Sequence, residues 1–162
     1  MFTLRDAKLN DLDGITSIYN WAILNTTATF DNEKKTMNEQ IIWFNDHGYK
    51  NPIIVAELDG IIVGWASLSK WSDRCAYSDT AEISLYVKDG FIGKGIGRKL
   101  MEHIIKKGKS VGLHVLIARI TEGNGNSVHL HESFGFNHIG KMREVGKKFG
   151  KILDVYLMQK IY

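Results

Sequence analysis

The chain has 162 residues, a formal net charge of +3, and a composition that is 44% hydrophobic and 24% charged. These values are typical of one soluble globular domain and exclude a disordered or fibrous chain. The positive residues are scattered rather than gathered on one face with aromatic side chains, which argues against a nucleic-acid partner.

Cysteine content and hydropathy exclude further classes of protein. The only cysteine, Cys75, rules out an internal disulfide framework and a zinc site built from cysteines. The N-terminus lacks the apolar core of a secretion signal, and the longest uncharged apolar stretch, residues 60–69, is about half as long as a membrane span. We therefore expect a cytoplasmic protein with no metal and no membrane partner.

Hydrophobic periodicity predicts seven strands and four helices. The strands are expected at residues 2–5, 53–58, 61–68, 81–88, 114–120, 136–143 and 151–161. The helices are expected from a cap at Asn10 with an apolar face reaching Ala22, and at residues 36–47, 97–109 and 126–134. A capping box opens the second helix, Asp59-Gly60 forms the first hairpin, and a turn at residues 146–150 joins the last two strands. This order predicts a mixed α+β sheet in a single domain over residues 1–162.

Three alternating glycines stand between the fourth strand and the third helix. Glycines let backbone N–H groups approach a ligand without interference from Cβ, and a helix N-terminus adds unpaired N–H groups and a positive dipole end. The stretch therefore predicts a cradle for a diphosphate. Its expected contacts are Gly93, Lys94, Gly95, Ile96, Gly97 and Arg98.

Two familiar phosphate loops do not fit this stretch. A Walker A loop needs Ser or Thr after its lysine, where Gly95 stands, and the dinucleotide fingerprint needs a glycine where Leu100 stands. Residues 92–97 instead resemble the coenzyme A loop of the GCN5-related N-acetyltransferases (GNAT), [QR]-x-x-G-x-[GA], with Ile92 replacing the usual Gln or Arg. A glycine-rich turn that binds nothing is the alternative.

The resemblance continues through most of the chain. Residues 124–136 are similar to the family segment N-x-x-S…L-[YH]-x-x-x-G-F. Residues 18–30, 81–87 and 145–154 resemble the phosphinothricin and methionine sulfoximine acetyltransferases, as do two of the tryptophans, Trp43 and Trp71. The resemblance implies a mostly antiparallel twisted sheet that is splayed at the coenzyme-binding strand and flanked by about four helices. It also implies acetyl-CoA as cosubstrate and a homodimer.

The same resemblance implies further coenzyme contacts. The backbone of Leu85, Tyr86 and Val87 would pair with the pantetheine arm as an added strand would. Asn124 and Ser127 would contact coenzyme A, although simple helix capping is an alternative for both.

Acetyl transfer to an amine needs a neutral amine, a hydrogen-bond donor for the oxyanion and a proton for the departing thiolate. Glu82, a carboxylate in a predicted central strand, is the candidate base, and it stands at the position of the subfamily's proposed catalytic glutamate. An exposed strand glutamate is the alternative reading. His131 stands where many relatives carry a tyrosine acid. It either protonates the thiolate, binds near it, or is a core histidine.

An amino-acid acceptor brings a carboxylate, which an arginine fork or a lysine would bind. The resemblance implies acceptor contacts in the loop before the strand of Glu82, so the candidates are Arg74 first, then Ser72 and Asp73. Further candidates are Ser84, Glu82 and Phe30, with Lys148 as a weaker choice. The leading hypothesis is an acetyl-CoA-dependent N-acetyltransferase for a small amino acid such as phosphinothricin, methionine sulfoximine or methionine sulfone. The alternatives are another amine acceptor (a protein N-terminus, a polyamine or an aminoglycoside) and a non-catalytic acyl-CoA-binding module.

Overall fold

A computed structural model describes all 162 residues, with helices packed on both faces of a seven-stranded sheet. The strands β1–β7 are Thr3–Asp6, Ile53–Leu58, Ile61–Lys70, Thr80–Val87, Val115–Thr121, Asn137–Lys148 and Lys151–Ile161. The helices α1–α4 are Leu12–Asn25, Met37–Asp46, Ile96–Ser110 and Gly125–Ser133. Short 3₁₀ turns lie at Leu9–Asp11 and Cys75–Tyr77.

The strand order is β1-β2-β3-β4-β5-β7-β6. Neighbouring strands are antiparallel except β4 and β5, which are parallel and joined by the crossover helix α3. This arrangement confirms the predicted mixed α+β sheet. The one parallel pair lies in the middle of the sheet, so the crossover places the start of α3 beside the carboxyl end of β4.

Two apolar clusters fix which helices cover which face. Leu100, Met101 and Ile104 of α3 are fully buried against one face, where α4 also packs. Ile15 of α1 is fully buried with Trp65 against the other face, where α2 also packs. Because side chains alternate along a strand, the odd-numbered residues of β4 face α3 and the even-numbered ones face α1.

The first helix begins later than predicted. A 3₁₀ turn occupies the expected cap at Asn10, and α1 starts at Leu12. The carboxylate of Asp11 accepts a hydrogen bond from the Lys8 amide at 2.7 Å and pairs with Arg5 at 2.7 Å, so Asp11 fixes the entry to the helix.

The last predicted turn is narrower than expected, because β6 continues to Lys148. The chain reverses at Phe149-Gly150, whose φ angles of 51° and 74° are those of a two-residue type I′ turn. Gly146 lies inside β6 opposite Leu153. A Cβ on Gly146 would lie 2.1 Å from the ring of Phe30, so this glycine serves packing rather than a turn.

Candidate active site

The sheet opens between β4 and β5. The two strands pair only through residues 80–82 of β4, and beyond that point β4 is paired on its β3 side alone. The Lys88 amide donates to the Val63 carbonyl of β3 at 2.9 Å. Because backbone amides alternate in direction along a strand, those of Leu85 and Val87 point the other way, into the gap. An extended ligand can therefore add to this edge as a strand would.

A second set of free amides lies at the start of α3. The backbone N–H groups of residues 93–98 donate to no protein acceptor. Gly93 and Gly95 have φ angles of 81° and 80°, and a Cβ built on either would meet no protein atom within 4 Å. Open amides at a helix N-terminus form an anion cradle, as the glycine spacing predicts.

Two cations flank this cradle. The Nζ atom of Lys94 lies 4.7 Å from the ring centroid of Phe91, and the Arg98 guanidinium lies 5.0 Å from that of Phe134. Both cationic side chains belong to exposed residues. They add positive charge beside the amides while their stems rest on aromatic rings.

A cavity of 560 Å³ fills the gap between β4 and β5. Its lining includes these residues singled out from the sequence: Phe30, Glu82, Ser84, Leu85, Tyr86, Asn124, Ser127 and His131. The glycine loop does not line the cavity, but a Cβ on Gly97 would lie 3.7 Å from Leu85 and 3.9 Å from Leu130, two lining residues. The cradle and the cavity are therefore neighbours.

Glu82 is held at the cavity by an arginine. The Nη2 atom of Arg119 lies 2.7 Å from Oε2 of Glu82, and the Arg119 Nε and Nη2 groups donate to Oε1 at 3.1 and 2.9 Å. The Glu82 side chain is 20% exposed, whereas that of Arg119 is 53% exposed. Glu82 is thus a partly buried carboxylate that still reaches the cavity.

His131 lies inside the cavity wall as a neutral ring. Its Nδ1 is 2.7 Å from the carbonyl oxygen of Ser127, which can only accept, so Nδ1 carries the proton and Nε2 carries a lone pair. Burial lowers the pKa of His131 below its usual value, against the smaller opposing effect of this hydrogen bond. The ring therefore offers an acceptor, and it can donate from Nε2 only after taking up a proton.

This buried histidine predicts a loss of stability in acid. The unfolded chain binds a proton near pH 6.5, while the folded chain resists protonation at His131, so the free energy of unfolding falls as the pH drops below about 6.5. One such group contributes at most about 1.4 kcal/mol per pH unit. Urea titrations at pH 7.5 and 5.5 should show a smaller difference for His131→Asn than for the wild type.

The exposed His129 on the same helix provides the control, and its Asn variant should keep the wild-type difference. Burial also lowers the pKa of His47, so His47 should account for part of the pH dependence of stability that remains in His131→Asn. Equal pH dependence in the wild type and His131→Asn would contradict the prediction.

A loop of residues 26–31 closes the cavity from the α1 side. Tyr86 Oη donates to the Ala28 carbonyl of this loop at 3.3 Å. The buried Nζ of Lys148 donates to the Thr29 carbonyl at 2.7 Å. The side-chain amide of Asn124 donates to the Thr121 carbonyl at 3.0 Å and to Oγ1 of Thr27, in this loop, at 3.4 Å. Asn124 therefore does not cap α4 with its side chain but connects this helix start to the loop.

Some sequence candidates lie outside the cavity. Ser72, Asp73 and Arg74 stand between β3 and β4 and are absent from its lining. Arg74 is exposed, and Asp73 pairs with Lys70 at 3.0 Å. Arg119 was not among the candidates from the sequence, although a charged residue inside an otherwise apolar strand is the same signal that singled out Glu82.

Two further features are absent from the structure. None of the helices combines the length and the apolar character needed to cross a bilayer. No three or more His, Cys, Asp or Glu side chains are grouped so that they could hold a metal ion.

Comparison with known proteins finds one matching family. Residues 4–157 match the family described as the acetyltransferase (GNAT) domain. An L-methionine sulfoximine/L-methionine sulfone acetyltransferase of Pseudomonas aeruginosa is 39% identical over 159 residues, which cover 97% of this chain and 92% of that protein.

Solved structures of similar proteins superpose closely. A GNAT superfamily phosphinothricin acetyltransferase of Sinorhizobium meliloti, in complex with acetyl-CoA, has a TM-score of 0.94 and 34% identity, covering 99% of this chain and 88% of that one. A ribosomal-protein-alanine N-acetyltransferase of Brucella melitensis has a TM-score of 0.95 and 36% identity, covering 99% of both chains.

Proposed function

Because the chain belongs to the GNAT acetyltransferase family, we propose that it moves the acetyl group of acetyl-CoA to the α-amino group of a small amino acid or its analogue. One observation carries this proposal: free amides at residues 93–98 and at the open edge of β4 lead to a cavity that contains Glu82. The amides of residues 93–98 fit the diphosphate of coenzyme A, and the open edge of β4 fits its extended arm. Glu82 at the cavity fits the base that the reaction needs.

We assign the diphosphate to the amides of residues 93–98, beside Lys94 and Arg98. The pantetheine arm would then run along β4 and accept from or donate to Leu85 and Val87, which have no strand partner on that side. Asn124 and Ser127 stand across the gap at the start of α4, where they can contact the same arm.

The reaction forms a C–N bond and breaks a C–S bond, and the amine loses one proton while the thiolate gains one. Glu82 takes the proton from the amine, either directly or through a water. The amide of Leu85 or Val87 stabilises the oxyanion, since these donors are fixed and point into the gap. His131 serves the thiolate side: its Nε2 takes up a proton from solvent and passes it to the thiolate, while Glu82 releases the amine's proton to solvent.

A small acceptor suits the size of the cavity. A volume of 560 Å³ is in the range of small-molecule sites, and the loop of residues 26–31 closes one side of it. The Pseudomonas aeruginosa relative acts, by its name, on methionine sulfoximine and methionine sulfone. The Sinorhizobium meliloti neighbour is named for phosphinothricin. These three amino acids are therefore the first acceptors to test.

A thiol-release assay with acetyl-CoA tests the proposal. We expect acetyl-CoA-dependent release of free coenzyme A with at least one of the three amino acids, and mass spectrometry should find the N-acetyl product. Binding of acetyl-CoA without thiol release across a broad panel of amines would instead indicate a non-catalytic acyl-CoA-binding module.

A protein N-terminus is the second candidate acceptor, because a structural neighbour is named a ribosomal-protein-alanine N-acetyltransferase. A peptide that begins with alanine should be included in the same panel. Faster turnover of this peptide than of any free amino acid would favour the second candidate.

We also propose a cytoplasmic homodimer. The hairpin of β6 and β7 exposes the apolar residues Val145, Phe149 and Ile152, each at least half exposed, and a second copy could cover them. The one free thiol, Cys75, is exposed, which suits a reducing compartment. Sedimentation analysis of the wild type should give twice the monomer mass, and a single monomeric species would contradict this.

A further inference from the structure

We infer that Arg119 binds the carboxylate of the amino-acid acceptor and thereby selects amino acids over simple amines. This inference rests on the proposed function and adds a specificity determinant to the same site. It assigns the carboxylate to a residue of β5 rather than to the loop that the sequence favoured.

The guanidinium of Arg119 has one edge free. Its Nε and Nη2 groups face Glu82, while Nη1 donates to no protein atom. An arginine carries five N–H donors in two planar forks, so the end formed by Nη1 and Nη2 can take a second carboxylate. The side chain is half-exposed and lines the cavity, so a ligand can reach this edge.

Arg119 is also the only lysine or arginine among the residues that line the cavity. The charged neighbours there are Glu82 and Asp31, and the Asp31 carboxylate lies 3.4 Å from Lys35. A carboxylate brought into this cavity therefore has one cation to meet. Arg74 is exposed and outside the cavity, and the Nζ of Lys148 is buried and donates to a carbonyl.

The adjacent charges of Glu82 and Arg119 match an α-amino acid. Its amine and its carboxyl group are attached to the same carbon, so one group can face Glu82 while the other meets Arg119. The guanidinium lies 5.8 Å from the ring centroid of Trp71, and this contact limits its movement. An amine without a carboxylate would leave the free edge of the Arg119 guanidinium unpaired. The positive charges of the amine and the guanidinium would also repel each other.

A matched pair of substrates tests this inference. Methionine sulfone and its decarboxylated amine, 3-(methylsulfonyl)propylamine, differ only in the carboxylate. We expect the wild-type enzyme to prefer the amino acid in kcat/KM, and Arg119→Gln to reduce that preference by about tenfold or more, mainly through KM. Because Arg119 also holds Glu82, kcat should fall for both compounds alike, so the ratio of the two kcat/KM values is the readout, and Arg119→Lys should retain part of the preference. Arg143→Gln, an exposed arginine of β6, should keep the wild-type preference.

Four outcomes would overturn the inference. Arg119→Gln could acetylate both compounds with the wild-type preference, or Arg74→Gln could be the variant that loses it. The wild type could also use both compounds equally well, which would leave acetyl transfer standing and remove only the role of Arg119. Thiol release with neither compound nor any other free amino acid would overturn the proposed function together with this inference.

Discussion

Replacing Glu82 with Gln should lower kcat at neutral pH by about 10²–10³-fold. The amide cannot take a proton, yet it has nearly the shape of the carboxylate and can still accept from Arg119, which holds Glu82 at 2.7–3.1 Å. An α-amino group is mostly protonated at neutral pH, so the variant should recover part of its activity as the pH rises and free amine accumulates. Initial rates of thiol release between pH 6.5 and 9.5 would measure both effects.

Glu57→Gln is the matched control for this prediction. Glu57 also pairs with an arginine, Arg5, but it lies on β2, away from the cavity. Its variant should keep the wild-type kcat and pH profile. A Glu82→Gln enzyme with an unchanged pH–rate profile would contradict the assignment of Glu82 as the base, and removal of the proton would then have to be assigned to another group.

Local signals in the sequence predict the fold well wherever the local chemistry decides the structure. The capping box at Thr36 forms as predicted, with hydrogen bonds of 2.7 and 3.2 Å between Thr36 and Glu39. The Asp59-Gly60 hairpin also forms, with both residues at positive φ. Each of these features involves residues within four positions of one another, so periodicity and turn chemistry are sufficient.

The predictions of local structure fail where residues far apart in the chain determine that structure. Gly146 is typical of a turn in the sequence, but the ring of Phe30, more than a hundred residues earlier, occupies the space where its Cβ would lie. Asn10 is a good cap in isolation, but Arg5, which Glu57 of the distant strand β2 also binds, pairs with Asp11 and sets the start of the helix. Sequence patterns alone do not contain these long-range contacts.

The same limit applies to the site. Glycine spacing predicts the amide cradle, because the cradle is made of consecutive residues. The partner of Glu82 could not be predicted in this way, since Arg119 lies 37 positions away and meets it only because β4 and β5 are adjacent and parallel. The loop of residues 72–74 was favoured by resemblance, whereas the cavity contains a different arginine.

Gly95→Ala should weaken the binding of acetyl-CoA by about tenfold or more while the protein remains folded. Gly95 has a φ of 80° at the residue before α3, and a methyl group there would meet no protein atom within 4 Å. The cost to folding is therefore limited to backbone strain, about 1–2 kcal/mol. The ligand loses more, because either the methyl group blocks the close approach of the diphosphate or the loop relaxes and turns its amides away.

Gly112→Ala separates the loss of binding from the strain. Gly112 follows the far end of α3 with a φ of 85° and the same open surroundings, so its variant should lose a similar amount of stability. It should keep the wild-type Kd for acetyl-CoA in calorimetric titrations, since it lies outside residues 93–98. Equal Kd values for the two variants would mean that the free amides at the start of α3 do not bind the diphosphate of acetyl-CoA. The proposed coenzyme site would then be wrong at that end.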